Sequence, residues 1–198
     1  MSDAPSVSRL IALTGGPGAG KTAVVEVIRR HLNDTVAVVP EAASMVFAGG
    51  FPRRPEPVAR KAAQCVIFHT QRQLERLALA TEQAPVILCD RGTVDALAYW
   101  PEGDDTLWDE FQSTHEAELA RYHAVIHLQS PCDDTGYQRD TNPHRTETAS
   151  EARAIDDRIQ QAWSAHPRRV VIPATASFLD KLTMALDALR TVIRPPSL

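Results

Sequence analysis

Residues 15–22 read GGPGAGKT, between the apolar run RLIALT (9–14) and the helical pattern KTAVVEVIRRHL (21–32). The run matches G-x-x-x-x-G-K-[ST], with Gly15, Gly20, Lys21 and Thr22 in the fixed places. Few short motifs constrain a fold as tightly, because this one needs a strand before it and a helix after it. Glycines at 15, 16, 18 and 20, with Pro17 and Ala19 between them, let the backbone wrap closely, so that amide hydrogens point inward at an anion. The helix beginning near Gly20 adds the positive end of its dipole through Lys21, Thr22 and Ala23. Lys21 supplies a mobile charge for the β- and γ-phosphates, and the Thr22 hydroxyl is a ligand for Mg²⁺. The run therefore predicts a nucleoside triphosphate site.

Four more short apolar runs follow: TVAVVP (35–40), PVILCD (85–90), HAVIHL (123–128) and RRVVIP (168–173). They are rich in Val, Ile and Leu without clean alternation, as expected of strands buried on both faces. Helical patterns separate them, among them the long stretch 56–83, the stretch 105–122, 149–166 and 177–193. Strand alternating with helix predicts an α/β fold with a mainly parallel sheet and helices on both faces. Ligands then gather at the carboxyl ends of the strands. The 198 residues suit a single nucleotide-binding domain over 1–198. Segments near 47–57 and 130–150 are rich in turn residues and are read as mobile working loops.

Composition narrows the partners. A formal charge of −4 and a pI near 6.0 argue against general nucleic-acid binding. Cys65, Cys89 and Cys132 are odd in number and lack C-x-x-C spacing, which argues against a zinc site or disulfide framework. No run is long enough to span a membrane, and a reduced, cytoplasmic setting is expected.

Candidate residues beyond the loop lie at strand ends. Asp90 closes the third apolar run, where it is placed to hold Mg²⁺; capping the next helix is the plainer reading. Arg91 is placed for a substrate phosphate or to orient a base, with a surface ion pair as the alternative. Glu41, after the second run, is placed to orient or deprotonate an acceptor hydroxyl, or to cap the helix at 42–47. Arg139 and Arg145 in the polar loop suit the charge that spreads over a transferring phosphoryl group. His127 is expected to be an interior histidine, and Phe47, Phe51, Tyr99 and Trp100 are read as core or as an apolar slot for an acceptor.

With these residues in place, the chain resembles the P-loop kinase-like ATP-binding domains grouped with AAA-type ATPases. It is similar to the kinase domain of ribosylnicotinamide kinases and, more distantly, to nucleoside and nucleotide kinases. The stretches that carry the resemblance are GGPGAGKT, VVPEAAS, GGFP, CDRGTVDALAYW, VIHLQSP, NPHRTETASEA and VIPATASF, in order along nearly the whole chain. The resemblance implies a three-layer P-loop NTPase fold with five strands in the order 2-3-1-4-5. It implies that Asp90 and Arg91 form the acidic–Arg pair, that Glu41 is the carboxylate after strand two, and that Arg139 and Arg145 are lid arginines. Pro173, Ala174 and Thr175 would lie against the nucleotide base. An N-K-x-D motif, which would select guanine, is absent from the sequence, so ATP is the expected co-substrate, with GTP not excluded. The leading expectation is a Mg²⁺- and ATP-dependent kinase acting on the hydroxyl of a small acceptor, with a nucleoside-like compound as one candidate. The alternatives are a nucleotide-dependent switch binding a protein or lipid, and an NTPase serving a partner.

Overall fold

The computed structural model describes residues 8–131, 148–175 and 177–193. Five strands form one sheet among them: β1 (Arg9–Thr14), β2 (Val36–Val39), β3 (Val86–Asp90), β4 (Ala124–Leu128) and β5 (Arg169–Ile172). Every pairing is parallel and the order is β2-β3-β1-β4-β5, as the resemblance implies. Register brings Leu13 opposite Asp90 and Thr14 opposite His127, so the strands end along one edge.

Alternate residues of each strand serve opposite faces, both of them covered by helices, which is why the runs lack a regular polar alternation. On one face Ile11, Leu13, Leu88 and Ile126 pack against Val24 and Ile28 of α1 (Lys21–His31) and Ala185 and Leu189 of α8 (Phe178–Ile193). On the other, Leu10, Ala12, Ile87 and Val125 meet Ala98 of α4 (Ala96–Tyr99), Leu119 of α6 (His115–Ala120), and Ile155 and Ile159 of α7 (Ala149–Ala162). Trp163, fully buried just after α7, joins this second core. The remaining helices are α2 (Ala42–Ala48), α3 (Pro57–Thr81) and α5 (Leu107–Phe111). No helix of the described residues is long and apolar enough to cross a membrane.

One helical expectation is corrected. The stretch 105–122 is not one helix: Gln112 takes a left-handed conformation (φ 49°) and separates α5 from α6. Phe111 stacks on Phe68 with ring centroids 3.9 Å apart, whereas Leu119 belongs to the sheet's core. A continuous helix would not serve both contacts, and Thr114 restarts the chain by accepting the Ala117 amide at 3.1 Å.

Gly92 joins β3 to a single 3₁₀ turn (Thr93–Asp95) ahead of α4. A Cβ here would lie 2.7 and 2.9 Å from ring carbons of Trp163 and 3.1 Å from Tyr122. Both rings are buried and neither can withdraw. Gly92→Ala is therefore expected to cost about 1–3 kcal/mol by overpacking, read as an earlier urea midpoint. An unchanged midpoint would contradict this packing.

Candidate functional site

The phosphate loop is built from behind. Gly15 holds φ 136°, and a Cβ there would lie 2.0 Å from the Leu128 carbonyl oxygen, so only glycine lets β1 turn beside β4. The Gly16 amide donates to Asp156 Oδ1 at 2.6 Å, and the Ser130 amide donates to Asp156 Oδ2 at 3.0 Å. His127 Nε2 lies 3.0 Å from Asp156 Oδ1, and Ser130 Oγ donates to the Pro17 carbonyl at 3.0 Å. One carboxylate on α7 thus fastens the loop to the strand next to it. At the front, α1 begins after Gly20 (φ 92°) with no side-chain cap. Its first amides have no intrahelical acceptor, as at any helix start, and are available to an anion.

Lys21 folds back over the loop, donating to the Gly15 and Gly16 carbonyls at 2.6 and 2.9 Å. Burial, and then the nearby Arg91 charge, lower its pKa to about 8 against the pull of Asp90, Glu41 and Asp95. An ammonium held this way is poised for phosphate oxygens, which would restore its charge.

Arg91 is the centre of the second cluster. Its Nε donates to Glu41 Oε1 at 2.5 Å and its Nη1 to Asp95 Oδ2 at 3.0 Å, with a longer contact of 3.3 Å to the Gly15 carbonyl. Its backbone is in the left-handed region (φ 75°), unusual for arginine and a conformation that gathers at functional sites. Its amide donates to the Leu13 carbonyl at 3.0 Å, and Gln71 Nε2 donates to the Arg91 carbonyl at 3.2 Å. Burial works against the Arg91 charge, but Tyr99, Glu41 and Asp95 outweigh it and hold the guanidinium charged. Asp95 also accepts from Thr14 at 2.7 Å and from Trp163 Nε1 at 2.7 Å.

Two carboxylates behave oppositely. Burial raises Glu41, but Arg91 and the Ser44 hydroxyl, which donates to its other oxygen, hold it at about 2. Asp90 is raised to about 6 by burial and by the neighbouring Glu41 charge, which outweigh Lys21, Arg91 and Arg29. Its Oδ1 is buried without a hydrogen-bond partner. An orphaned carboxylate oxygen bordering the same cavity as the exposed Thr22 fits a cation brought in on a nucleotide. Among the described residues no three His, Cys, Asp or Glu side chains gather to hold a metal alone.

A cavity of about 820 Å³ opens in front of these groups. It brings together Pro17, Lys21, Thr22, Glu41, Asp90 and Arg91, along with Phe47 and Tyr99. Phe51 does not border it, and Trp100 is a core residue packed on Phe111. Pro173, Ala174 and Thr175 follow β5 at the same edge of the sheet but do not border this cavity. Arg139 and Arg145 lie outside the described residues, as do His144 and Cys132. His127 is fully buried, and Cys89 is buried in the sheet.

Sequence reasoning missed Asp95, Asp156 and Gln71, the residues that position the site. It also missed Phe178, which is 44% exposed, with its ring 3.3 Å from where a Cβ on Gly20 would lie. Asp156 had a signal: it falls on the apolar stripe Ala152, Ile155, Ile159 of α7, where an acid must have a buried partner.

The family model described as AAA domain matches residues 10–181. The chain belongs to that family. No curated protein matches it. Among solved structures it is similar to deoxyadenosine kinase from M. mycoides with bound dATP, at 14% identity and a TM-score of 0.64, covering 92% of this chain and 99% of that one. It is also similar to NadR protein in complex with NR, at 15% identity and a TM-score of 0.73, covering 97% of this chain. NadR in complex with NAD and AMP-PNP aligns at 14% identity and a TM-score of 0.65. The chain spans about half of NadR, 54% and 52% in the two structures. At these identities the likeness shows the fold, which is that of P-loop kinases.

The two displaced pKa values give measurable consequences. At pH 8.5 most Lys21 side chains are neutral in the free protein, so binding of ATP should take up most of one proton (roughly 0.7). Calorimetry in buffers of different ionisation enthalpy checks this, and Lys21→Met should abolish the uptake. Asp90 has a folded pKa above its unfolded value, so the folded state binds the extra proton between pH 4 and 6 and loses stability as pH rises through that window. Asp90→Asn should therefore stabilise the nucleotide-free protein by about 1–3 kcal/mol at pH 7 and by almost nothing at pH 4. Denaturant titrations at both pH values decide it, and equal effects at the two would contradict the burial of a charged Asp90.

Proposed function

We propose that the chain is an ATP-dependent kinase that transfers the γ-phosphoryl group to a hydroxyl of a small acceptor seated in the cavity beside Glu41 and Arg91. The observation that supports this most is the joining of the Lys21 ammonium and the Glu41–Arg91 pair in one open cavity large enough for a second substrate. A hydrolase needs room only for water.

In this reading the amides of residues 18–23 and the Lys21 ammonium hold the triphosphate, with Gly15, Gly16 and Pro17 shaping the turn behind them, and the 173–175 loop lies against the base. Thr22 and Asp90 would hold Mg²⁺, which neutralises charge on the phosphate oxygens when bound. Glu41 accepts a hydrogen bond from the acceptor hydroxyl and aims its oxygen at the γ-phosphorus. With a pKa near 2 it is a weak base, so it orients first. As the oxygen–phosphorus bond forms and the bond to the departing ADP oxygen breaks, the hydroxyl becomes strongly acidic and its proton passes late to the Glu41 carboxylate, which releases it to solvent. Arg91 keeps Glu41 ionised and aimed, and Arg139 and Arg145 would offset charge on the transferring oxygens. One domain carries all of these steps, in a cytoplasmic setting with ATP and Mg²⁺ at hand, and GTP in place of ATP remains compatible.

The experiment is a panel of hydroxyl acceptors with ATP labelled at the γ-phosphate, scored for labelled product. Transfer should exceed hydrolysis, which would be weak without acceptor. Lys21→Ala should abolish turnover. Glu41→Gln should lower kcat about 10²–10³-fold with the ATP dissociation constant within about threefold of wild type. Wild-type transfer by Glu41→Gln would remove that residue from the reaction. Hydrolysis without any labelled acceptor would favour an NTPase.

A further inference from the structure

The charges around the cavity are sorted by position. The bordering carboxylates are Glu41, Asp90 and Asp95 at the strand ends and Glu151 on α7. The α2–α3 side, from Phe47 to Gln71, contributes none: its charged groups at the cavity are Arg53, Arg54 and Arg60. Arg60 is held in place without being neutralised. Its Nη2 donates to the Tyr99 and Trp100 carbonyls at 2.8 and 3.1 Å, and it forms no ion pair among the described residues. Arg54 is exposed at the cavity and likewise forms no ion pair among the described residues. The backbone that presents it is stiffened by Pro52, Pro55 and Pro57, each with a fixed φ. Arg53 lies with its guanidinium 5.3 Å from the centre of the Phe47 ring, and across the cavity Arg158 is paired through Nη1 with Glu102 at 2.8 Å, so it adds no unpaired charge.

A half-buried guanidinium fixed by carbonyl dipoles loses water without gaining a counter-charge, an arrangement that favours an anionic ligand. A neutral acceptor would leave that charge unanswered, and a cationic one would be repelled. Building on the kinase reading, we propose that the acceptor is itself an oxyanion, a small hydroxy compound bearing a phosphate or carboxylate group. Its hydroxyl lies at Glu41 and its anionic group at Arg54 and Arg60. The acceptor class is then a phosphorylated or acidic polyol or nucleotide, and the product carries one more phosphoryl group than a substrate that was already charged.

The test uses matched pairs: nucleosides against their 5′-monophosphates, ribose against ribose 5-phosphate, and glucose against gluconate. Binding is measured by calorimetry on the full chain with the phosphate loop filled by a non-hydrolysable ATP analogue and Mg²⁺. The anionic member of at least one pair should bind about tenfold tighter or more, with affinity falling as salt rises. Phosphate and carboxylate pairs tell the two oxyanions apart. Arg54→Gln, at an exposed position that folding does not depend on, and Arg60→Gln should each erase most of that preference. Neutral partners binding as tightly, a preference that survives both substitutions, or no binding by any anionic compound would overturn the proposal. Arginine-dependent binding without labelled transfer would instead overturn the kinase reading, and with it the acceptor role, while keeping the oxyanion site at Arg54 and Arg60.

Discussion

The Arg91 guanidinium is the constraint on which the site depends. It meets the carboxylate after β2, the carboxylate after β3 and the carbonyl at the start of the phosphate loop. Without Asp95 and Glu41 this cation would be buried and uncompensated, at a cost of several kcal/mol. Without the cation, a buried carboxylate and a part-buried one would repel each other. Asp95 passes the constraint on to Thr14 at the end of β1 and to Trp163 at the end of α7, so the cluster joins three strand ends to the core on one face. A buried ionic cluster is weak evidence for stability but strong evidence for a unique geometry, and geometry is what phosphoryl transfer needs.

A second carboxylate does the same work for the phosphate loop. Asp156 fixes Gly16 and Ser130 from behind, the Ala19 amide makes only a long 3.3 Å contact to the Gly16 carbonyl, and Lys21 rests on loop carbonyls. The loop is therefore shaped before any nucleotide arrives, and binding replaces internal contacts of Lys21 with phosphate contacts at little reorganisation cost. Both devices belong to the sheet edge where parallel α/β folds place their ligands.

The strands were legible because burial on both faces leaves mostly apolar side chains in RLIALT, VILCD and AVIHL, with Thr14, Asp90 and His127 at or near the carboxyl ends where the site lies. The phosphate loop was legible because its glycines are required by close approach, as the Leu128 carbonyl shows at Gly15. The strand order came from resemblance and not from periodicity, which says nothing about neighbours. Asp95 was not recognised because it sits within a helical stretch where an acid usually faces water, and the place of Asp156 on the apolar stripe of α7 marks it as buried without naming what it binds. Their roles come from partners 81 and 140 residues away, Thr14 and Gly16. The break at Gln112 was hidden for the same reason: two cores compete for one amphipathic run, and local pattern cannot show which core takes Phe111.

The most direct measurement is backbone amide NMR with a non-hydrolysable ATP analogue and Mg²⁺. Large, saturable shifts of the Gly18–Thr22 amides are predicted, while the Gly16 amide, already bonded to Asp156, changes little. Unperturbed Gly18–Thr22 amides at saturating analogue, in a protein whose spectrum is well dispersed, would contradict the account.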